Sequence, residues 1–183
     1  MIYHVSLGMT ALVVGLLHGL GGVLALLFPS RIQRFVQRFP RDRFLGRILL
    51  GGVTLWAAAL CATTDLGEYS GFRSSLVLGC LILGALSIWL LDDFPSVRGL
   101  SMLFLLAANV LLDAAFLSDR PGKIAVVLLA YLWVVAGILF VSLPHLFRDR
   151  VCEPLGLPGA LRAAAWGALA VGAGFVAFGL GLG

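Results

Sequence analysis

Asp113 and Asn109 stand four residues apart in a run, Gly99 to Leu117, that is otherwise almost wholly apolar. Four residues is about one helical turn, so the two side chains share a face. A carboxyl group in such surroundings is costly, and it marks either ion or proton handling or a polar contact between helices. At 1.5 Å per residue, Asn109 lies near the middle of its run and Asp113 about 6 Å further out. His18 falls near the middle of another apolar run, and Tyr131 lies in a third at an intermediate depth. If the four meet inside a bundle, they form a proton or cation site with Asp113 as the titrating ligand and His18 as a second group. Burial favours the neutral form of both. The plainer expectation is that Asp113 is neutral or reaches water at the outer boundary, and that the group holds helices together.

Other chemistry finds less support. Asp92 and Asp93 precede Pro95 and Arg98. The expected reading there is a solvated helix end with local ion pairing, since two adjacent carboxylates supply few metal ligands. His4, His18 and His145 fall at three different depths, which does not suit paired haem ligands, and the one lysine, Lys123, lies at a loop edge. G-x-S-x-G, H-E-x-x-H, C-x-x-C and Walker A patterns are absent from the sequence. No catalytic constellation, metal site or cofactor is expected. Cys61 and Cys80 sit at similar depth on neighbouring runs, where a disulfide is geometrically open, although buried free thiols are the commoner state. Cys152 falls on the reducing side.

The elements that must position these residues follow from composition. The chain has 183 residues, 61% of them hydrophobic and only 12% charged, with a mean hydropathy of +1.06. A soluble domain is about 45–50% apolar and about 25% charged, so too little polar surface remains to cover a water-soluble globule. A helix crossing a bilayer needs roughly 20 apolar residues. Six runs are long enough or nearly so, at about 5–28, 44–64, 74–91, 99–117, 124–143 and 160–183. The third is the shortest. The runs are continuous, not alternating, and backbone groups in lipid need internal partners, so helices are expected. The first run follows MIYH, which carries no Lys or Arg, and is read as a retained helix instead of a cleaved signal. The fold class is an all-α integral membrane protein in one domain: a bundle of about six transmembrane helices with a short cytoplasmic amphipathic interfacial helix.

Orientation comes from the basic residues. Ten of the thirteen lie in the odd-numbered loops and three in the even-numbered ones. The positive-inside rule then places odd loops in the cytoplasm and both termini outside. The expected location is a bacterial inner (cytoplasmic) membrane.

Six arginines crowd the first loop in RIQRFVQRFPRDRFLGR: Arg31, Arg34, Arg38, Arg41, Arg43 and Arg47. Ile32, Phe35, Val36 and Phe39 repeat at i, i+3, i+4, i+7, one face of a helix over 30–39. Arg31, Arg34 and Arg38 take the opposite face. Such a helix is expected to lie in the membrane interface, its aromatics in lipid and its arginines on anionic lipid headgroups. No nucleic acid partner is expected, because the flanking spans commit the surface to lipid.

Glycine spacing points to helix packing. Gly8, Gly15 and Gly22 recur every seven residues, and Gly19 completes a G-x-x-x-G with Gly15. In the last run Gly167, Gly174 and Gly181 recur every seven, with Gly172 and Gly179 forming a second row. Small residues on one face let backbones approach closely, which is how packing proceeds inside lipid. The two combs are expected to pack on each other or on a second copy of the chain. Each helix entering the cytoplasm also ends in Pro then Arg (FPSR, FPSVR, LPHLFR), with proline read as a helix stop.

Together these features suggest a non-enzymatic scaffold or subunit that acts through helix packing and contact with the lipid bilayer, a homo-oligomer mate or another membrane-complex partner. The alternative is a small proton- or cation-coupled transporter or channel using Asp113, Asn109, His18 and Tyr131.

Overall fold

The structure is a computed structural model that describes every residue except 1, 2, 4, 91, 92, 117, 158, 182 and 183. All regular elements among the described residues are helical. Six helices are long and apolar enough to cross a membrane. They are α1 (Leu7–Leu27), α3 (Arg43–Thr63), α4 (Arg73–Leu90), α5 (Pro95–Phe116), α6 (Lys123–Ser142) and α9 (Ala160–Gly179). Between α1 and α3 lie the amphipathic α2 (Pro29–Arg38) and a 3-10 turn, Phe39–Arg41. A second 3-10 stretch, Gly67–Phe72, runs into α4 and lengthens that shortest apolar run to 24 helical residues. After α6 come α7 (Pro144–Phe147), a π turn over Arg148–Cys152, and α8 (Glu153–Leu155). The expected run ends at Leu91, Leu117 and Gly183, together with His4 and Asp92, lie outside the described residues.

The prolines of the three repeated Pro–Arg motifs do not only end helices. Pro29, Pro95 and Pro144 each occupy the first turn of the following helix, where a missing N–H costs nothing and the fixed φ is already helical. For α5 this moves the start to Pro95, four residues before the apolar run begins at Gly99. Ser6 and Asp42 cap α1 and α3, their side chains accepting from the N–H of Met9 (3.3 Å) and Leu45 (3.0 Å).

The most extensively packed helix pair is the first with the last. A Cβ at Gly15 would lie 2.7 Å from the Val176 nitrogen and 2.8 Å from the Gly172 carbonyl oxygen. One at Gly22 would lie 2.8 Å from the Ala165 oxygen, and one at Gly8 3.2 Å from the Gly179 oxygen. The facing row on α9 is Gly172 and Gly179, whose added Cβ atoms would lie 2.7 Å from the Gly19 nitrogen and 2.9 Å from the Gly8 oxygen. Gly167, Gly174 and Gly181, the row expected to pack, have nothing within 4 Å of an added Cβ. The heptad spacing alone does not distinguish two glycine rows on one helix. The row chosen is the one whose neighbour Ala165 continues it, a buried small residue seven before Gly172.

From this pair the bundle builds outward. Leu7 and Val14 of α1 pack with Ala108, Leu111 and Ala115 of α5 and Val126 and Ala130 of α6. α5 packs on α3, and α3 on α4. α4 is outermost, with no buried residue, and it meets α3 where Thr54 sits directly over Gly84.

The first, third and fifth loops meet at one end, as alternating helix directions require. The Ser96 hydroxyl donates to the Asp42 carbonyl, joining third loop to first. Gln33 Nε2 donates to the carbonyls of Leu155 (3.2 Å) and Gly156 (2.7 Å), joining first to fifth. Phe39 and Phe147 pack with ring centroids 5.7 Å apart.

The register of the α1–α9 seam can be tested with alanine pairs. Gly15→Ala and Gly172→Ala push a Cβ into backbone and should each lower stability by about 1–3 kcal/mol. Gly19→Ala and Gly174→Ala enter open space and should be neutral or slightly stabilising, since Ala is a better helix former by roughly 1 kcal/mol. Thermal unfolding in detergent measures all four, and equal stability changes in the first pair and the second would contradict this register.

Candidate functional site

The four polar residues expected to converge do not. The Tyr3 backbone N–H donates to Asp113 Oδ2 at 3.1 Å, so Asp113 sits at the level of the segment preceding α1. His18 lies eleven residues into α1 from Leu7, roughly 16 Å along the axis. There its Nδ1 is 2.9 Å from the Val14 carbonyl oxygen, an atom that only accepts, so Nδ1 carries a proton. The imidazole stacks on Trp133 at 6.5 Å and 13°. Asn109 and Tyr131 both point outward, with Tyr131 57% exposed. The shared face of Asn109 and Asp113 is opposite the α5 stripe that packs on α1 and α6, which is why burial leaves Asn109 at the surface.

An apolar groove of about 250 Å³ lies beside α1, lined by neither Asp113 nor His18. Val5 and α1 residues Met9, Val13 and Leu17 form one wall and Trp56 of α3 the other, over Ala107 and Val110 of α5, with Trp133 lining it as well. On its α3 side the Trp56 indole N–H donates to the Tyr3 hydroxyl at 3.2 Å, and the two rings meet edge to face. Burial pushes the Tyr3 phenol above its usual pKa; the Asp113 charge adds to this, and the Trp56 hydrogen bond opposes it. Trp133 also stacks on Phe104 at 5.7 Å. Sequence reading missed Tyr3, Trp56, Phe104 and Trp133. A usable signal existed: tryptophan favours the interfaces of a membrane, and Trp133 falls in the middle of α6.

The second feature is the basic face of α2. This helix was expected to bury Ile32, Phe35, Val36 and Phe39 in lipid. Instead Ile32 packs against the cluster of Ala25, Leu161 and Ala165. Val36 packs against the cluster that Phe39 forms with Val97, Phe147 and Cys152. Phe35 alone of the four is exposed. The apolar face is covered because α9 brings α8 alongside α2, and Gln33 then satisfies two carbonyls at the end of α8.

Docking this face turns the arginines outward. Arg31, Arg34, Arg38, Arg41, Arg43 and Arg47 are all exposed. The Arg31 guanidinium lies 5.5 Å over the Phe28 ring, and Arg34 Nε donates to the Ser30 carbonyl at 3.2 Å. Among the described residues, Arg31, Arg34, Arg38, Arg41 and Arg47 make no ion pair. Three cations elsewhere in the chain are occupied. Arg73 donates to the carbonyls of Ala62 (2.7 Å) and Thr64 (3.2 Å) at the end of α3, and Lys123 donates to Ser118 at 2.8 Å. Arg148 pairs with Asp149 at 2.8 Å and Glu153 at 3.8 Å. The Asp149 hydrogen bond and charge, with a smaller effect of Glu153, hold its guanidinium above the usual pKa.

Two concavities of about 390 Å³ each run along the basic face. One is lined by Arg31, Arg34, Phe35, Arg38, Phe39 and Asp42. The next is lined by Gln37, Arg38, Arg41 and Asp42. Among the described residues no group of His, Cys, Asp and Glu is arranged to hold a metal. Asp93 and Arg98 make no ion pair there, and Arg98 Nε is enclosed without a hydrogen-bond partner. Cys61 and Cys80 are free thiols.

Cys152 reports on the docking of α2. It is 3% exposed, and its thiol donates to the Val36 carbonyl at 3.3 Å. Burial, and then the Glu153 charge, push its pKa up, so the reactive thiolate is scarce at neutral pH and grows as pH rises. Maleimide labelling of Cys152 followed by mass spectrometry should therefore be slow at pH 7 and faster at pH 9. Gln33→Ala removes two hydrogen bonds of about 1 kcal/mol each and should raise the pH 7 rate on the order of tenfold; no change would mean α2 is held by other contacts.

No protein-family model, no curated protein and no solved structure matches this chain.

Proposed function

We propose that this protein is a non-catalytic, multi-pass membrane scaffold whose arginine-rich end is a contact surface for anionic phospholipid. The supporting observation is the docked α2: Ile32 and Val36 of its apolar face pack on protein, and among the described residues Arg31, Arg34 and Arg38 stand outward without carboxylate partners. The helix follows α1 directly, after the single residue Phe28, which sets the arginines at headgroup level. Anionic headgroups attract such charges by about 1 kcal/mol per Arg, and salt screens the attraction over about 8 Å at physiological ionic strength. The arginine-rich end is placed in the cytoplasm of a bacterial-type inner membrane and both termini outside, on the distribution of basic residues. The Gly-seamed helices supply the rigid frame that holds this face.

The test is lipid-dependent stability. Phosphatidylglycerol added to the delipidated protein in detergent should raise its unfolding temperature more than phosphatidylcholine, and added salt should shrink the difference. In the triple variant Arg31→Gln, Arg34→Gln, Arg38→Gln the apparent affinity for phosphatidylglycerol should fall roughly a hundredfold, about 3 kcal/mol. An unchanged response in that variant overturns the proposal. So does proton or cation flux through reconstituted protein that Asp113→Asn abolishes.

A further inference from the structure

We infer that the basic face holds one phospholipid carrying two phosphate groups, seated in two adjoining lobes that share Arg38. The inference rests on the anionic-lipid reading above and specifies the ligand. The lobes are the two concavities described: Arg31 and Arg34 belong to the first, Gln37 and Arg41 to the second, and Arg38 and Asp42 line both.

Charge sets the number of phosphates. Arg31, Arg34, Arg38 and Arg41 against Asp42 leave a surplus of three positive charges around the pair of lobes. One phosphodiester carries a single negative charge and leaves most of that surplus facing the membrane surface. Two phosphodiesters neutralise most of it. Arg34 lines the first lobe, Arg41 the second and Arg38 both, so the two phosphates sit on neighbouring arginines, as a short glycerol-sized bridge between them requires. Asp42 is fixed by accepting the Leu45 N–H at 3.0 Å. Its carboxylate lines the boundary between the lobes and repels an anion centred there, so phosphates are directed to either side.

The ligand is a lipid and not a soluble diphosphate because aromatic surface adjoins the lobes. Phe28 and Phe35 are 45% and 53% exposed; Phe28 lies where α1 leaves its apolar span, beneath Arg31, and Phe35 lines the first lobe. Phosphates on the arginines place glycerol and the first acyl carbons against these rings. Arginine suits this role since its planar fork binds phosphate oxygens in pairs.

The experiment uses full-length, delipidated protein in a non-ionic detergent, with binding read by native mass spectrometry and by thermal shift. The probes are cardiolipin (two phosphates), phosphatidylglycerol (one) and sodium pyrophosphate, at equal total phosphate. Cardiolipin should bind one per chain and about tenfold more tightly than phosphatidylglycerol, and pyrophosphate should not displace it. Arg41→Gln, which touches only the second lobe, should erase this preference while leaving phosphatidylglycerol binding unchanged. Arg38→Gln should weaken both lipids. Equal affinity per phosphate, or a preference that survives Arg41→Gln, overturns the two-lobed site while leaving anionic-lipid contact standing. Displacement by pyrophosphate at equal concentration overturns the lipid assignment. Failure of both lipids to bind takes the proposed function down as well.

Discussion

The approach of α1 to α9 is the contact from which the remaining arrangement follows. Gly15 and Gly172 leave no room for a Cβ on either side, so the two helices lie backbone against backbone. They run in opposite directions, so the segment leaving α1 and the segment entering α9 end up side by side. Those segments are α2 and α8. The hydrogen bonds from Gln33 to Leu155 and Gly156 are therefore a consequence of the seam at a distance, and so is the outward rotation of the arginines. Inside lipid there is no hydrophobic force to draw helices together, and close van der Waals contact must replace it. Glycine is what permits it here.

The basic residues of the chain divide by what they touch. Arg73, Lys123 and Arg148 each meet carbonyls or carboxylates in their own neighbourhood. The first-loop arginines face solvent, and one of them stacks on a phenylalanine at the end of α1. A guanidinium placed at the boundary of an apolar span, with aromatic surface beside it, is complementary to a phosphate that carries acyl chains. The apolar groove between α1 and α3 has a different character: apart from Thr10 its lining is apolar or indole, and Trp56 links it to Tyr3, whose N–H meets Asp113.

Six long helices and an amphipathic connector were legible because both are properties of a run: hydropathy over about twenty residues and a 3.6-residue repeat over ten. Helix ends were legible to within a few residues; the largest offsets are the start of α5, because Pro95 starts a helix as readily as proline ends one, and the end of α9 at Gly179. The glycine face of α1 was readable at Gly8, Gly15 and Gly22, where the repeat had no competitor on that helix. On α9 two rows competed, and spacing gave no reason to prefer Gly172 over Gly174. The polar residues misled because depth is readable from a sequence while direction around the helix is not. Asn109 and Tyr131 are exposed, while His18 stacks on Trp133.

By itself the sequence determined the solvent-like composition of the protein, the number and length of its apolar helices, and the loop in which its positive charge is concentrated. Each is a sum over neighbouring residues, and a sum survives any later packing. Only the tertiary structure decided that α2 rests on protein, that Trp56 and Trp133 line one groove, and that Asp113 and His18 stand far apart. Those outcomes depend on the rotation of each helix against its neighbours. Rotation is fixed by which side chains, or which glycines without them, let two backbones come close, and the partners lie far apart along the chain, as Gly15 and Gly172 or Gly8 and Gly179 do.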